Sequence, residues 1–220
     1  PAIILQLGRK GTRSAIVIAA GLDTLHTAQG TNLQQQMLEI AQQSGVRVLG
    51  PNCLGIIVPG LGLNASCSHT SATAGKIAFV SQSSGVFLTL LDWARRRRIG
   101  FSHFISLGDG VDVDFDDVLD YLGRDPKTQA ILLYLDDIQD GRRFMSAARA
   151  ASFNKPILVI KSGTNTEITA MTSRCDVSEI GDDAVYSAAF RRAGMLRVGD
   201  LRELMAAVET LAYGKPVTGE

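Results

Sequence analysis

The chain has 220 residues, with 22 lysines and arginines against 22 aspartates and glutamates, and 45% of its residues are hydrophobic. At about 150 residues per domain this is one large domain or one plus a fragment, able to bury roughly 70% of its unfolded surface without disulfides or metals. Zero net charge disfavours nucleic acid and anionic membranes as partners, the composition excludes gross disorder, and no apolar run approaches the ~18 residues that cross a bilayer. Cys53, Cys67 and Cys175 form an odd set with no pairing rhythm, which suits a reducing, cytoplasmic setting. The chain opens Pro1-Ala2-Ile3-Ile4, and so apolar a start reads as a cut through a folded unit.

Residues 1–49 read as the closing helix, strand, helix and strand of an α/β unit. Ala15 to Ile18 is a compact strand run. Leu33, Met37, Ile40 and Ala41 share a helical face that Ser44-Gly45 closes, and Val46 to Leu49 is a short strand. Residues 50–75 carry no period and much Gly, Pro, Asn, Ser and Thr, so 61–75 is expected to be a linker loop. From there strands and helices alternate. Strands are predicted over 77–80, 101–105, 131–135 and 157–160, and helices over 84–97, 114–123, 141–152, 182–193 and 199–212. Near-continuous apolar strands between amphipathic helices imply a parallel sheet covered on both faces. The expected fold class is therefore α/β. A doubly wound parallel sheet of about five strands spans 76–214, residues 1–60 are a remnant of a preceding domain, and 215–220 are a tail.

In such sheets ligands sit beyond the strand carboxyl ends. After Val80 the run Ser81-Gln82-Ser83-Ser84-Gly85 leads into a helix whose N-terminus could receive an anion, or which Ser simply caps. It is not a P-loop, lacking the Lys, nor a nucleophile elbow, lacking the Gly two residues before the Ser. Asp109, Asp112, Asp114, Asp116, Asp117 and Asp120 could hold a cation, but acidic residues also favour a helix's first turn, and that reading is the stronger. Asp136 and Asp137 end a strand, where a carboxylate can orient an imidazole or a ligand hydroxyl, or merely face solvent. His26, His69 and His103 lack metal-ligand spacing, and His103 reads as a core residue. Gly60-Leu61-Gly62 lacks the third glycine of a dinucleotide loop. Cys53, in Pro51-Asn52-Cys53, is either a reactive thiol or a small buried residue.

Several segments carry a resemblance. Leu49-Gly50-Pro51-Asn52-Cys53-Leu54-Gly55, Phe79-Val80-Ser81-Gln82-Ser83, Leu91-Asp92-Trp93-Ala94, Gly100-Phe101-Ser102-His103-Phe104 and Leu133-Tyr134-Leu135 stand in the order found in NDP-forming acyl-CoA synthetases. The chain resembles these relatives of the succinyl-CoA synthetase α subunit over nearly its whole length. The resemblance implies a flavodoxin-like ligase domain preceded by the end of a Rossmann-like CoA-binding domain. It also implies CoA or acetyl-CoA as ligand, with ATP or ADP entering only through a separate ATP-grasp domain. Phosphate would be received at Ser81, Gln82, Ser83 and Ser84, while Pro51, Asn52 and Cys53 would lie near the CoA thiol. A family Glu that orients the phosphorylated histidine corresponds to Asp136.

The chain departs from the family where phosphoryl transfer occurs. The family histidine, in a Ser-His-Thr-Gly loop, falls on Cys175, and no histidine lies between 104 and 220. A thiol is a poor substitute for an imidazole that must accept and release a phosphoryl group near pH 7. Ser84 stands where the family has Gly, and Asp136 is one methylene shorter than Glu. Similar losses occur in the synthetase-like region of Pat-type protein lysine acetyltransferases. The expectation is thus a CoA- or acyl-CoA-binding regulatory module without catalysis of its own, next to an ATP-grasp and a GNAT domain in an oligomer. The alternative is the α portion of an active ADP-forming acyl-CoA (acetyl-CoA) synthetase.

Overall fold

The computed structural model describes residues 1–26, 30, 32–163 and 179–214. Two sheets organise them. The smaller pairs β1 (Ser14–Ile16) with β2 (Arg47–Leu49) in parallel, and α1 (Ala2–Arg9) and α2 (Leu33–Ser44) pack on it. Asn32 caps α2 by accepting from the Gln34 and Gln35 amides, and Gly45, in the left-handed region, ends it. The small core is Ile4, Met37, Ala41, Val46 and Val48.

The larger sheet has seven strands in the order β4-β3-β6-β5-β7-β8-β9. β5 (Thr73–Ser81), β6 (Gly100–Ser106), β7 (Ala130–Leu135), β8 (Ile157–Lys161) and β9 (Leu196–Arg197) are parallel. On one face lie α4 (Phe115–Arg124), α5 (Gly141–Asn154) and α6 (Glu179–Ala193), which bury Phe115, Leu119, Phe144, Ala148 and Phe190. On the other lie α3 (Ser84–Arg97) and α7 (Leu201–Tyr213). The spacing of Phe87, Leu90, Leu91 and Ala94 lays one stripe of α3 on the sheet, where Phe87 meets Phe104 edge-on at 4.6 Å between ring centroids. Phe87, Leu90 and Leu91, each fully buried, contribute roughly 1.5–3 kcal/mol apiece of transfer free energy.

The expected loop is the main departure. Residues 61–75 hold β4 (Leu63–Ser66) and the start of β5. β3 (Gly55–Val58), inside the expected remnant 1–60, belongs to the large sheet. These two strands form a hairpin, and β3 runs antiparallel to β6 at the sheet edge. Strands of four residues offer no period to count, and the edge strand β4 is half polar, so the Gly, Pro, Asn and Ser around them hid both. Gly60-Leu61-Gly62 falls in and just after the turn at Pro59–Leu61 that joins them. The sheet therefore has seven strands rather than about five, its parallel strands numbering five. The tail 215–220 lies outside the described residues.

Candidate functional site

Five chain segments meet at the carboxyl ends of the parallel strands. They are the turn 51–54, the Ser81–Ser83 turn, the loop 107–114, the turn 136–140 and Ser162-Gly163. Leu107 N donates to Ser81 O at 2.8 Å, Ser162 N to Leu135 O at 2.9 Å, and Leu54 N to Ser106 Oγ at 2.9 Å. The 51–54 turn hangs between the two sheets. Asn52 N donates to Ala19 O, and its side chain donates to Asp109 Oδ1 at 3.0 Å. The Cys53 thiol points away from this surface and donates to Val17 O at 3.4 Å. Burial pushes its pKa up, so Cys53 is the buried residue and not the reactive thiol.

The four residues expected at an anion divide by geometry. Ser81 is buried, and its hydroxyl donates to Ser83 O and accepts from Ser83 N. Gln82 spends its amide on the backbone of Asp136 and Asp137. Ser83 caps α3, accepting from Val86 N at 3.3 Å. The N–H groups of Ser84 and Gly85 have no carbonyl partner inside the helix, so the positive end of α3 is the exposed feature.

Asp136 and Asp137 border a cavity of about 180 Å³ with Lys161, Ser162, Asp183 and Tyr186. Tyr186 donates to Asp137 Oδ1 at 3.2 Å, and the Lys161 ammonium lies 5.0 Å from the Tyr186 ring centre. A second cleft, of about 490 Å³, opens between the two sheets, with Gln34, Asn52, Gln139, Asp23 and Asp109 on its walls. Gln34 Oε1 is buried and has no hydrogen-bond partner among the described residues.

Other candidates resolve differently. Among the described residues no His, Cys, Asp and Glu group could hold a metal. Four of the six acids in the run stand in ion pairs. Arg47 meets Asp112 at 3.0 Å and Asp117 at 2.8 Å, Arg143 meets Asp116 at 2.6 Å, and Arg124 meets Asp120 at 3.1 Å. His103 is buried in β6 beside Thr128 and Tyr121, and burial lowers its pKa. His69 is exposed and pairs with Asp92. His26 accompanies Thr24 at the small sheet. None of the three lines either cleft. Cys175 lies outside the described residues. Sequence reasoning assigned no role to Gln34 or Tyr186.

The model of the succinyl-CoA ligase-like flavodoxin domain matches residues 74–211. The chain belongs to this family. Within it, the chain is 36% identical over 204 residues to an ADP-forming acetate–CoA ligase I of Archaeoglobus fulgidus, covering 93% of this chain and 30% of that protein. It is 36% identical over 203 residues to subunit alpha of the Pyrococcus furiosus ADP-forming acetate–CoA ligase I, covering 92% of this chain and 44% of that one. Its fold is similar, with a TM-score of 0.85 and 31% identity, to the dinucleotide-forming acetyl-coenzyme A synthetase 1 of Ca. Korarchaeum cryptofilum in complex with phosphate and ADP. That match covers 99% of this chain and 47% of the other. The succinyl-CoA ligase-like domain and its preceding unit thus span less than half of these relatives. No helix among the described residues is long and apolar enough to cross a membrane.

Proposed function

We propose that this chain is the α portion of an ADP-forming acyl-CoA synthetase, binding a CoA thioester and phosphate where its two sheets meet. The relatives support a ligase better than the acetyltransferase-linked regulatory module that the resemblance first suggested. The observation that carries the reading is the pairing of an amide-lined cleft with an exposed helix N-terminus at one end of a succinyl-CoA ligase-like sheet. Gln34, Asn52 and Gln139 suit the uncharged amides of the pantetheine arm, and the unpartnered Gln34 Oε1 would accept from one of them. Asp23 and Asp109 would repel the phosphates of CoA, which therefore bind beyond these walls. The α3 N-terminus favours inorganic phosphate.

The reaction half that these groups serve is acyl transfer. A phosphate oxygen bonds to the thioester carbon, the C–S bond breaks, and the proton lost by phosphate goes to the leaving thiolate. The products are an acyl phosphate and CoA. The phosphoryl group would then reach ADP on an ATP-grasp domain, through a carrier outside the histidines of this chain. A second reading, binding without turnover, is favoured by the placement of His26, His69 and His103 away from both clefts.

One experiment decides between them. The full-length protein is given acetyl-CoA with and without inorganic phosphate, and free thiol is followed. Release that depends on phosphate is the expected result. Acetyl-CoA binding by calorimetry without release would establish the second reading instead, and neither binding nor release would overturn both.

A further inference from the structure

Gln82 stands between the end of β5 and the cap of α3, and it holds the neighbouring strand's exit loop with every polar atom of its side chain. Its backbone N–H donates to Tyr134 O at 3.2 Å. Its Oε1 accepts from Asp136 N at 2.6 Å and Asp137 N at 3.0 Å, and its Nε2 donates to Asp137 O at 3.0 Å. β5 and β7 are paired up to Ser81 and Tyr134, after which each strand runs into its own loop. Gln82 ties these loops together one residue before the Ser83 cap. The Asp137 carboxylate is held from the other side by Tyr186 Oη. Two backbone donors and one backbone acceptor are met by a single planar amide, and no other side chain offers that set at that reach. A glutamate would satisfy both N–H groups, but it would set a carboxylate oxygen against Asp137 O and add a charge beside two carboxylates. A leucine would leave all three backbone groups without their partner.

We propose that Gln82 is a positioning residue, whose carboxamide fixes where the Asp136 and Asp137 carboxylates stand relative to the α3 N-terminus. An anion at that helix end then meets the two carboxylates at one set geometry. The role rests on the reading of α3 as a phosphate site. The Gln82 amide oxygen and one of its two N–H groups are engaged by this turn.

The test uses the full-length protein with Gln82→Leu and Gln82→Glu, and inorganic phosphate as probe. Three quantities are read: amide exchange at Asp136 and Asp137, carboxylate titration of the same residues by carbon NMR, and phosphate affinity by calorimetry. Q82L is expected to speed exchange at the two amides at least roughly tenfold, while amides inside β7 and α3 keep their rates. It is also expected to weaken phosphate binding about tenfold, the equivalent of one or two lost hydrogen bonds. Q82E should keep exchange near the wild-type rate, since both N–H acceptors remain, yet weaken phosphate binding and raise the titration midpoint of the aspartates. The contrast between the variants separates positioning from loss of fold. Unchanged exchange and titration in Q82L would overturn the proposal. If wild-type protein binds no phosphate, the phosphate-site reading fails, and exchange and titration still decide whether Gln82 sets the aspartate turn.

Discussion

Asp114, at the head of α4, has its Oδ1 buried without a hydrogen-bond partner among the described residues. Burial, then Asp116, Asp117 and Asp137, raise its pKa from 3.8 to about 6. The folded value lies above the unfolded one, so between these pH values the native state keeps a proton that the unfolded chain has lost. Stability from this group is therefore present at acid pH and lost as pH rises through about 6. Asp114→Asn keeps a good N-cap residue and removes the charge. It is expected to be more stable than wild type in urea at pH 7 and to lose that advantage near pH 4, and equal midpoints at pH 7 would refute the assignment. Gly108 tests the turn opposite. It has φ of 60°, and a Cβ there would lie 2.1 Å from Pro51 O. Gly108→Ala should lower urea stability by about 2 kcal/mol or more through strain and displacement of the Asn52 turn. A loss within a few tenths of a kcal/mol would mean that the turn yields freely. The acids were legible as first-turn residues of α4, because that signal is local. Their partners were not, since Arg47 lies 65 residues from Asp112 and 70 from Asp117.

Between elements, the same arginine joins β2 to the loop that leads into α4. Val48 N donates to the Asp112 carboxylate Oδ2 at 2.6 Å, and Val113 N to Val48 O at 3.1 Å, so one side-chain and one backbone acceptor tie the strand to the loop beneath the ion pairs. The Arg47 side chain is 52% exposed, which makes its contribution modest and sensitive to salt. Arg47→Ala should cost about 0.5–1 kcal/mol in denaturant at low ionic strength and close to nothing near 1 M salt, where the screening length falls to about 3 Å. A loss equal at both salts would place the effect in side-chain packing instead. Element type was readable wherever a helix laid a full stripe on the sheet, as with Phe115, Val118, Leu119 and Leu122 of α4. It failed at β9, whose two residues carry no period, and at the β3–β4 hairpin, whose outer strand is half polar. Those short pieces draw their stability from the sheet they join rather than from their own pattern. The site followed the same rule. The strand ends were placed by periodicity, whereas which side chains face the clefts depended on turns such as Ser81–Ser83, where serine bonds to its own backbone.

At the scale of the molecule, stability is divided unequally. The large sheet has an apolar layer on each face, with Phe79, Phe104, Ile131 and Leu133 fully buried between helices. The small sheet has two strands of three residues and a core of five buried side chains. It is joined to the large sheet by the Arg47 clasp, the Asn52 turn and the Cys53 thiol, which bridges to Val17 O and Leu49 O. The Asn52–Asp109 contact also lies in the wall of the cleft proposed for the pantetheine arm, which Gln34 lines from the small unit, so a ligand there would grip both units at once. Native-state hydrogen exchange should therefore divide the amides into two classes. Those of β5, β6, β7 and β8 should open only with global unfolding, and those of α1, β1 and α2 roughly ten to a thousand times more often. Acetyl-CoA bound between the units should slow the second class and leave the first nearly unchanged, because a ligand stabilises only the openings that release it. Uniform protection across both sheets without ligand would show that the clasp makes them one cooperative unit. Slowing confined to the large sheet would move the binding site off the cleft.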